Sequence, residues 1–199
     1  SVVSQVQSQD SLRWNLTNDG GIEWGVKEKD SHMDHIEMSG MYLSVIVHYG
    51  VNNGKLKQKV HLVYPNLRTI PNDTHGSLAH KIDYDSLGQI KVNGKAISEE
   101  PDKFYIKGIL GYQSNTAEGV EIKHQLFPST DKTVFIDIIE IRNSTNQPVE
   151  IELPKIELSH KTDADNGVRG VYSINVVSNK YGIYNLKPNE SLDYALIYS

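Results

Sequence analysis

The feature that most constrains this chain is apolar alternation of period two, punctuated by Asn-Gly turns. From Leu43 the apolar positions are Leu43, Val45, Val47 and Tyr49. After Asn52-Asn53-Gly54 they resume at Leu56, Val60, Leu62 and Tyr64, with Lys55, Lys57 and Lys59 opposite. Successive side chains of a strand point to opposite faces, so this pattern buries one face and wets the other. An Asn-Gly pair between two such runs specifies a tight hairpin, because both residues tolerate the positive φ that the turn needs. The pattern recurs at Leu78, His80, Ile82 and Tyr84, and at Ile90 and Val92 before Asn93-Gly94. It returns at Phe104, Ile106, Gly108 and Leu110, at Val120, Ile122, His124 and Leu126, at Val149, Ile151 and Leu153, and at Leu192, Tyr194, Leu196 and Tyr198. The run 133–142 is apolar on both faces (Val134, Phe135, Ile136, Ile138, Ile139, Ile141) and reads as a central strand.

No stretch of ten or more residues carries a helical apolar stripe, and no repeat of fixed period is visible. Bundles, propellers and solenoids are therefore set aside. Many short strands with regular turn signals predict an all-β fold, a large two-sheet antiparallel β-sandwich, with residues 1–199 as one domain. Two stretches, 14–39 and 65–76, read as long loops, and long ordered loops often carry function.

The formal net charge is −5 and the basic residues are scattered, so the electrostatic footprint of a nucleic-acid partner is missing. There is no cysteine, which excludes disulfides and thiolate chemistry. No apolar run approaches the roughly 20 residues of a membrane-spanning helix. The opening Ser1-Val2-Val3-Ser4-Gln5 has neither the charged nor the apolar region of a signal peptide. The last strand is apolar with no polar tail after Tyr198, which reads as a chain that continues.

The densest polar cluster is His32-Met33-Asp34-His35-Ile36-Glu37-Met38-Ser39-Gly40. In an extended segment His35 and Glu37 share one face, and His32 and Asp34 the other. Its spacing matches no metal-ligand pattern, so no metal or other cofactor is assigned. A second cluster runs from Tyr64 through Arg68 to His75 and is stiffened by Pro65 and Pro71. Arg68 suits a carboxylate or a carbohydrate hydroxyl, and its plainer role is to pair with an acid and hold the loop. Trp14 and Trp24, the two tryptophans, are candidates for stacking on a sugar ring; core packing is the plainer reading of each. Tyr172, Tyr181 and Tyr184 make no convincing aromatic row. His48, His61, His80, His124 and His160 lie on or beside strands and read as solvated surface histidines. Carboxylate pairs such as Glu99 with Glu100 carry no specific signal among 25 acidic residues. No nucleophile elbow, phosphate loop or metalloprotease helix is present, so no residue is assigned as catalytic.

The run His32 to Gly40, the step Tyr49-Gly50-Val51 and the segment Tyr64-Pro65-Asn66-Leu67-Arg68-Thr69 resemble the N-terminal domain of bacterial six-hairpin glycosidases. Phe127-Pro128-Ser129-Thr130-Asp131, followed by the Ile-rich strand and Asn143, is similar to the same family, as is Leu186-Lys187-Pro188-Asn189-Glu190-Ser191. The resemblance implies a supersandwich-like β-domain packed on a helical (α/α) barrel of the same polypeptide. It further implies a polysaccharide substrate, a bacterial enzyme exported to the periplasm or exterior, and an acid and base carried by the barrel. Nothing in these 199 residues supplies that barrel. On this expectation His32, Asp34, His35, Glu37, Arg68 and His75 face the barrel or the rim of its sugar pocket. Three other classes stay open: a free-standing carbohydrate-binding module, a structural cell-surface domain, and an autonomous sandwich-fold enzyme.

Overall fold

The computed structural model describes residues 12–70 and 76–199, and these form seventeen strands and two single 3-10 turns, at Tyr84–Ser86 and Ala164–Asn166. Nine strands make one antiparallel sheet. Its order is β1 (Asn15–Leu16), β2 (Ile22–Gly25), β9 (Glu100–Ile106), β10 (Leu110–Asn115), β11 (Val120–Pro128), β12 (Phe135–Asn143), β17 (Ser191–Tyr198), β15 (Ser173–Ser178) and β14 (Glu157–Lys161). A four-stranded sheet follows the chain as β3 (His32–Ser39), β4 (Ser44–Asn52), β5 (Lys55–Thr69) and β6 (Gly76–Asp83). A second is ordered β16 (Gly182–Leu186), β13 (Val149–Leu153), β7 (Lys91–Val92) and β8 (Lys95–Ala96).

The alternation explains the layering. Val45, Val47, Tyr49 and Val51 of β4 and Val60, Leu62 and Tyr64 of β5 are buried. So are Phe104, Tyr112, Ile122, Leu126, Phe135 and Ile139 of the large sheet, and Ile151, Leu153 and Val92 of the third; all belong to one core. The architecture is the antiparallel β-sandwich that the pattern predicts. Both Asn-Gly turns take the left-handed backbone expected of them, with φ of 51° and 74° at Asn53-Gly54 and 49° and 77° at Asn93-Gly94.

The first expected loop and the start of the second are largely strand, while residues 71–75 of the second lie outside the described residues. Residues 14–39 supply β1, β2 and all of β3, which pairs with β4 from His32↔Val51 to Ser39↔Ser44. Their polarity misled because β3 is an edge strand, wet on its outer side. Likewise β5 continues through Pro65 to Thr69, with a register shift after Tyr64 that accommodates the proline. Tyr49-Gly50-Val51 acquires a physical reason. Gly50 has φ of 152°, and a Cβ there would meet the His32 carbonyl oxygen at 2.1 Å and Met33 Cα at 2.9 Å. Glycine lets β4 close onto the start of β3. No helix among the described residues is long and apolar enough to cross a membrane.

Candidate functional site

The structure divides the predicted residues into three places. The first is an aromatic cluster where β1 and β2 meet β3. Trp24 is 1% exposed and stacks on Phe104 at 4.9 Å. His32 stands edge-on to it at 5.4 Å, and the Arg13 guanidinium lies 5.0 Å from its ring centre. Both ring faces are occupied, so Trp24 is a core residue and not a sugar platform. Trp14 is half-buried. It packs edge-to-face on Trp24 and Tyr49, and its Nε1 donates to Asp34 Oδ2 at 3.1 Å. His32 and Asp34 do share the inner side of β3, as the extended reading requires. Burial first, and then the Asp34 charge, pushes the Tyr49 hydroxyl well above the ordinary tyrosine range.

The second place is the outer face of β3–β6. His35 lies against His48 at 5.8 Å, and Glu37 is paired across the ladder with Ile46, which is paired with His61. His48 and His61 are both held below the usual histidine range, by burial first and then by neighbouring positive groups such as Lys81.

The third place is the far end of β5. Arg68 Nη1 donates to Ser77 Oγ at 3.4 Å, and the Arg68 carbonyl accepts from Tyr172 Oη at 2.8 Å and from the Val168 amide. Arg68 thus anchors the 162–172 connection. His32 is in register with Val51 and, through it, with Leu56, so, allowing for the register shift before Arg68, Arg68 stands roughly 30 Å further along the strand. The two polar clusters do not converge. His75 lies outside the described residues. Among the described residues, no group of three or more histidines and carboxylates is arranged to hold a metal ion.

The strongest chemistry is elsewhere, in the core. His124 of β11 and Asp137 of β12 are both fully buried. His124 Nδ1 stands 3.0 Å from each Asp137 carboxylate oxygen, and its Nε2 stands 3.1 Å from Glu99 Oε2. Tyr84 Oη donates to the other Glu99 oxygen at 3.1 Å, and Tyr112 stacks on the imidazole at 4.3 Å while donating to Gln58 Oε1. Gln58 Nε2 and Ser114 Oγ stand beside the carboxylates without closing a full hydrogen bond. Burial alone would push the imidazole down. The charges of Asp137 and Glu99 and their hydrogen bonds overcome it and hold His124 up at about 10, so the ring is an imidazolium. Burial raises Asp137. For Glu99 burial acts the same way but is outweighed by His124 and Tyr84, and its carboxyl stays below the usual range.

This arrangement pins strands together and does no surface chemistry. Both ring nitrogens and both Glu99 oxygens are engaged. A hollow of about 120 Å³ lined by Leu56, Tyr84, Leu87, Ile90 and Ile97 reaches Glu99 and leaves His124 sealed. Reading His124 as solvated and Glu99 as uninformative is therefore corrected. The usable signal was phase: His124 alternates with Val120, Ile122 and Leu126, and Asp137 with Phe135, Ile139 and Ile141.

One further surface stands out. On the outer face of the nine-stranded sheet, Ile136 lies between Phe127 and Ile197, and Ile197 is paired with Val177. The next row is Tyr105, Gly111, Gln125, Ile138 and Ala195. Phe127, Ile136, Ile138, Val177, Ala195 and Ile197 are half-buried rather than covered.

Neither a scan against protein-family models nor a search of curated proteins found a match for this chain.

Proposed function

We propose that this chain is the non-catalytic β-sandwich domain of an exported bacterial glycoside hydrolase, which docks on a helical catalytic barrel of the same polypeptide and shapes substrate access. The observation that carries the reading is the two-sided character of β12. Its sequence is apolar on both faces, yet the fold buries only the side bearing Phe135, Ile139 and Ile141. The other side, with Phe127, Val177 and Ile197 around Ile136, remains half-covered. An antiparallel sheet with one wet face normally turns polar side chains outward. A contiguous apolar patch on such a face marks an interaction surface. The sealing of the His124 trio supports the same reading, because it leaves the strongest acid–base cluster of the domain without access to substrate. The family resemblance supplies the occupant, a layer of barrel helices, and with it the glycan substrate and the periplasmic or extracellular location.

The test is Ile136→Asp and Ile197→Asp in the complete polypeptide. Both are expected to cut polysaccharide hydrolysis severalfold and to split the melting of the two domains, while the 199-residue chain alone keeps its β-sheet spectrum. Unchanged hydrolysis with a single unchanged melting transition would contradict the reading. A second reading, a free-standing carbohydrate-binding module, is favoured by one observation, the groove around Tyr105 on the same sheet.

A further inference from the structure

Tyr105 on β9 is the cross-strand neighbour of Gly111 on β10 and of Glu23 on β2. A Cβ at Gly111 would meet Tyr105 Cζ at 2.1 Å and its Oη at 2.3 Å. The ring therefore lies down across the glycine, one face against backbone and the other turned outward. Glycine at 111 is what permits this, as in other sheets where an aromatic covers a glycine on the facing strand.

Tyr105 also lines two adjoining grooves, of about 440 Å³ and 150 Å³. Lys103, Lys107, Gln113 and Lys123 wall the first, and Gln125 and Glu140 the second. The lysines are matched by carboxylates: Lys103 with Glu23 at 3.6 Å, Lys107 with Asp19 at 2.7 Å and Lys123 with Glu121 at 2.9 Å. Gln113 Nε2 donates to Glu121 Oε2 at 2.9 Å. Glu140 and Asp193 add carboxylates beyond these pairs, so the surface carries a modest negative excess and is dense in donors and acceptors. An anionic ligand would meet the carboxylates and a cationic one the lysines. An uncharged polyhydroxylated chain can donate to the first and accept from the second. The flat phenol ring suits the apolar face of a pyranose, and a groove on each side of it suits a chain longer than one sugar.

We propose that this groove binds a neutral glycan chain, with one sugar stacked on Tyr105 and its neighbours held by Gln113, Gln125, Lys103 and Lys123. The site borders the apolar docking face, sharing Ile138 with it, and goes beyond the docking role.

Affinity electrophoresis of the 199-residue chain tests it, in gels containing β-glucan, arabinoxylan or galactomannan, with polygalacturonate as the anionic comparison. Retardation is expected in at least one neutral gel. It should fall at least tenfold in Tyr105→Ala and in Gly111→Val, which displaces the ring while keeping the tyrosine, and persist in Tyr105→Phe. Circular dichroism checks folding, and Tyr105→Ala alone decides if Gly111→Val does not fold. No retardation in any neutral gel, retardation by polygalacturonate only, or retardation unaffected by Tyr105→Ala would overturn the site. Ile136→Asp tests docking and Ile136 lines neither groove, so the two readings fail separately.

Discussion

His124 Nδ1 meets both carboxylate oxygens of Asp137 at 3.0 Å across neighbouring strands, where neither side chain has any exposure. An imidazolium caged by Asp137 and Glu99 joins β11, β12 and the entry to β9 through charge as well as packing. Removing one member strands the others in a low-dielectric core. Breaking a buried ion pair this way typically costs about 3–5 kcal/mol. His124→Gln should therefore lower denaturant stability by roughly that amount, measured by urea unfolding. A loss below about 1 kcal/mol would contradict the cage, since that is the range of an exposed pair.

The same geometry sets a pH dependence. The folded-state pKa of His124 is raised from 6.5 to about 10, so the folded protein binds a proton that the unfolded chain releases. The contribution is complete below pH 6.5 and is lost as pH rises through about 10. Thermal melting should fall along that alkaline limb in the wild type. His124→Gln should flatten it, and identical limbs in the two proteins would contradict the assignment.

Core packing was the plainer reading of Trp24 in the sequence, and the structure bears it out, but the partners that bury it were not legible. Its sequence neighbourhood is polar, and its burial comes from Phe104, some eighty residues away, and from an arginine lying on its face. Trp24→Ala should destabilise by about 3–5 kcal/mol, as large aromatic truncations in cores do. Its fluorescence should not respond to sugars that bind elsewhere. A sugar-dependent Trp24 signal with little stability loss would restore the stacking role.

Gly50 is the cheapest test of how β3 joins its sheet. With φ of 152° and the His32 carbonyl where a Cβ would stand, Gly50→Ala should loosen β3 from β4. Hydrogen exchange should show the amides of β3 exchanging faster in the variant than in the wild type, with those of β11 and β12 unchanged. Wild-type protection of β3 in the variant would show that the ladder absorbs the methyl group.

The fold was readable because alternation and Asn-Gly turns are local: each needs only a few adjacent residues, and the positive φ at Asn53 and Asn93 follows from chemistry at those residues. The edge strand β3 was obscured because polar residues on both faces erase the period-two signal; Asp34 on the inner face accepts from the Trp14 indole and the His35 amide. The resemblance put the His32 and Arg68 clusters on one barrel-facing side, and register alone reveals their separation. The His124 trio and the Tyr105 groove depend on strand order. Glu99 reaches His124, and Tyr105 reaches Gly111, only after β9, β10 and β11 are laid side by side. Phase gave a partial hint for His124 and Asp137, and nothing local announces Tyr105.

The central claim is that the domain serves a larger enzyme, and the most direct test is the intact mass of the native gene product. The account predicts a mass severalfold above that of 199 residues, with polysaccharide hydrolysis confined to the part beyond this domain. A native product no larger than this chain would contradict it and leave the apolar face of β12 without the layer assigned to it.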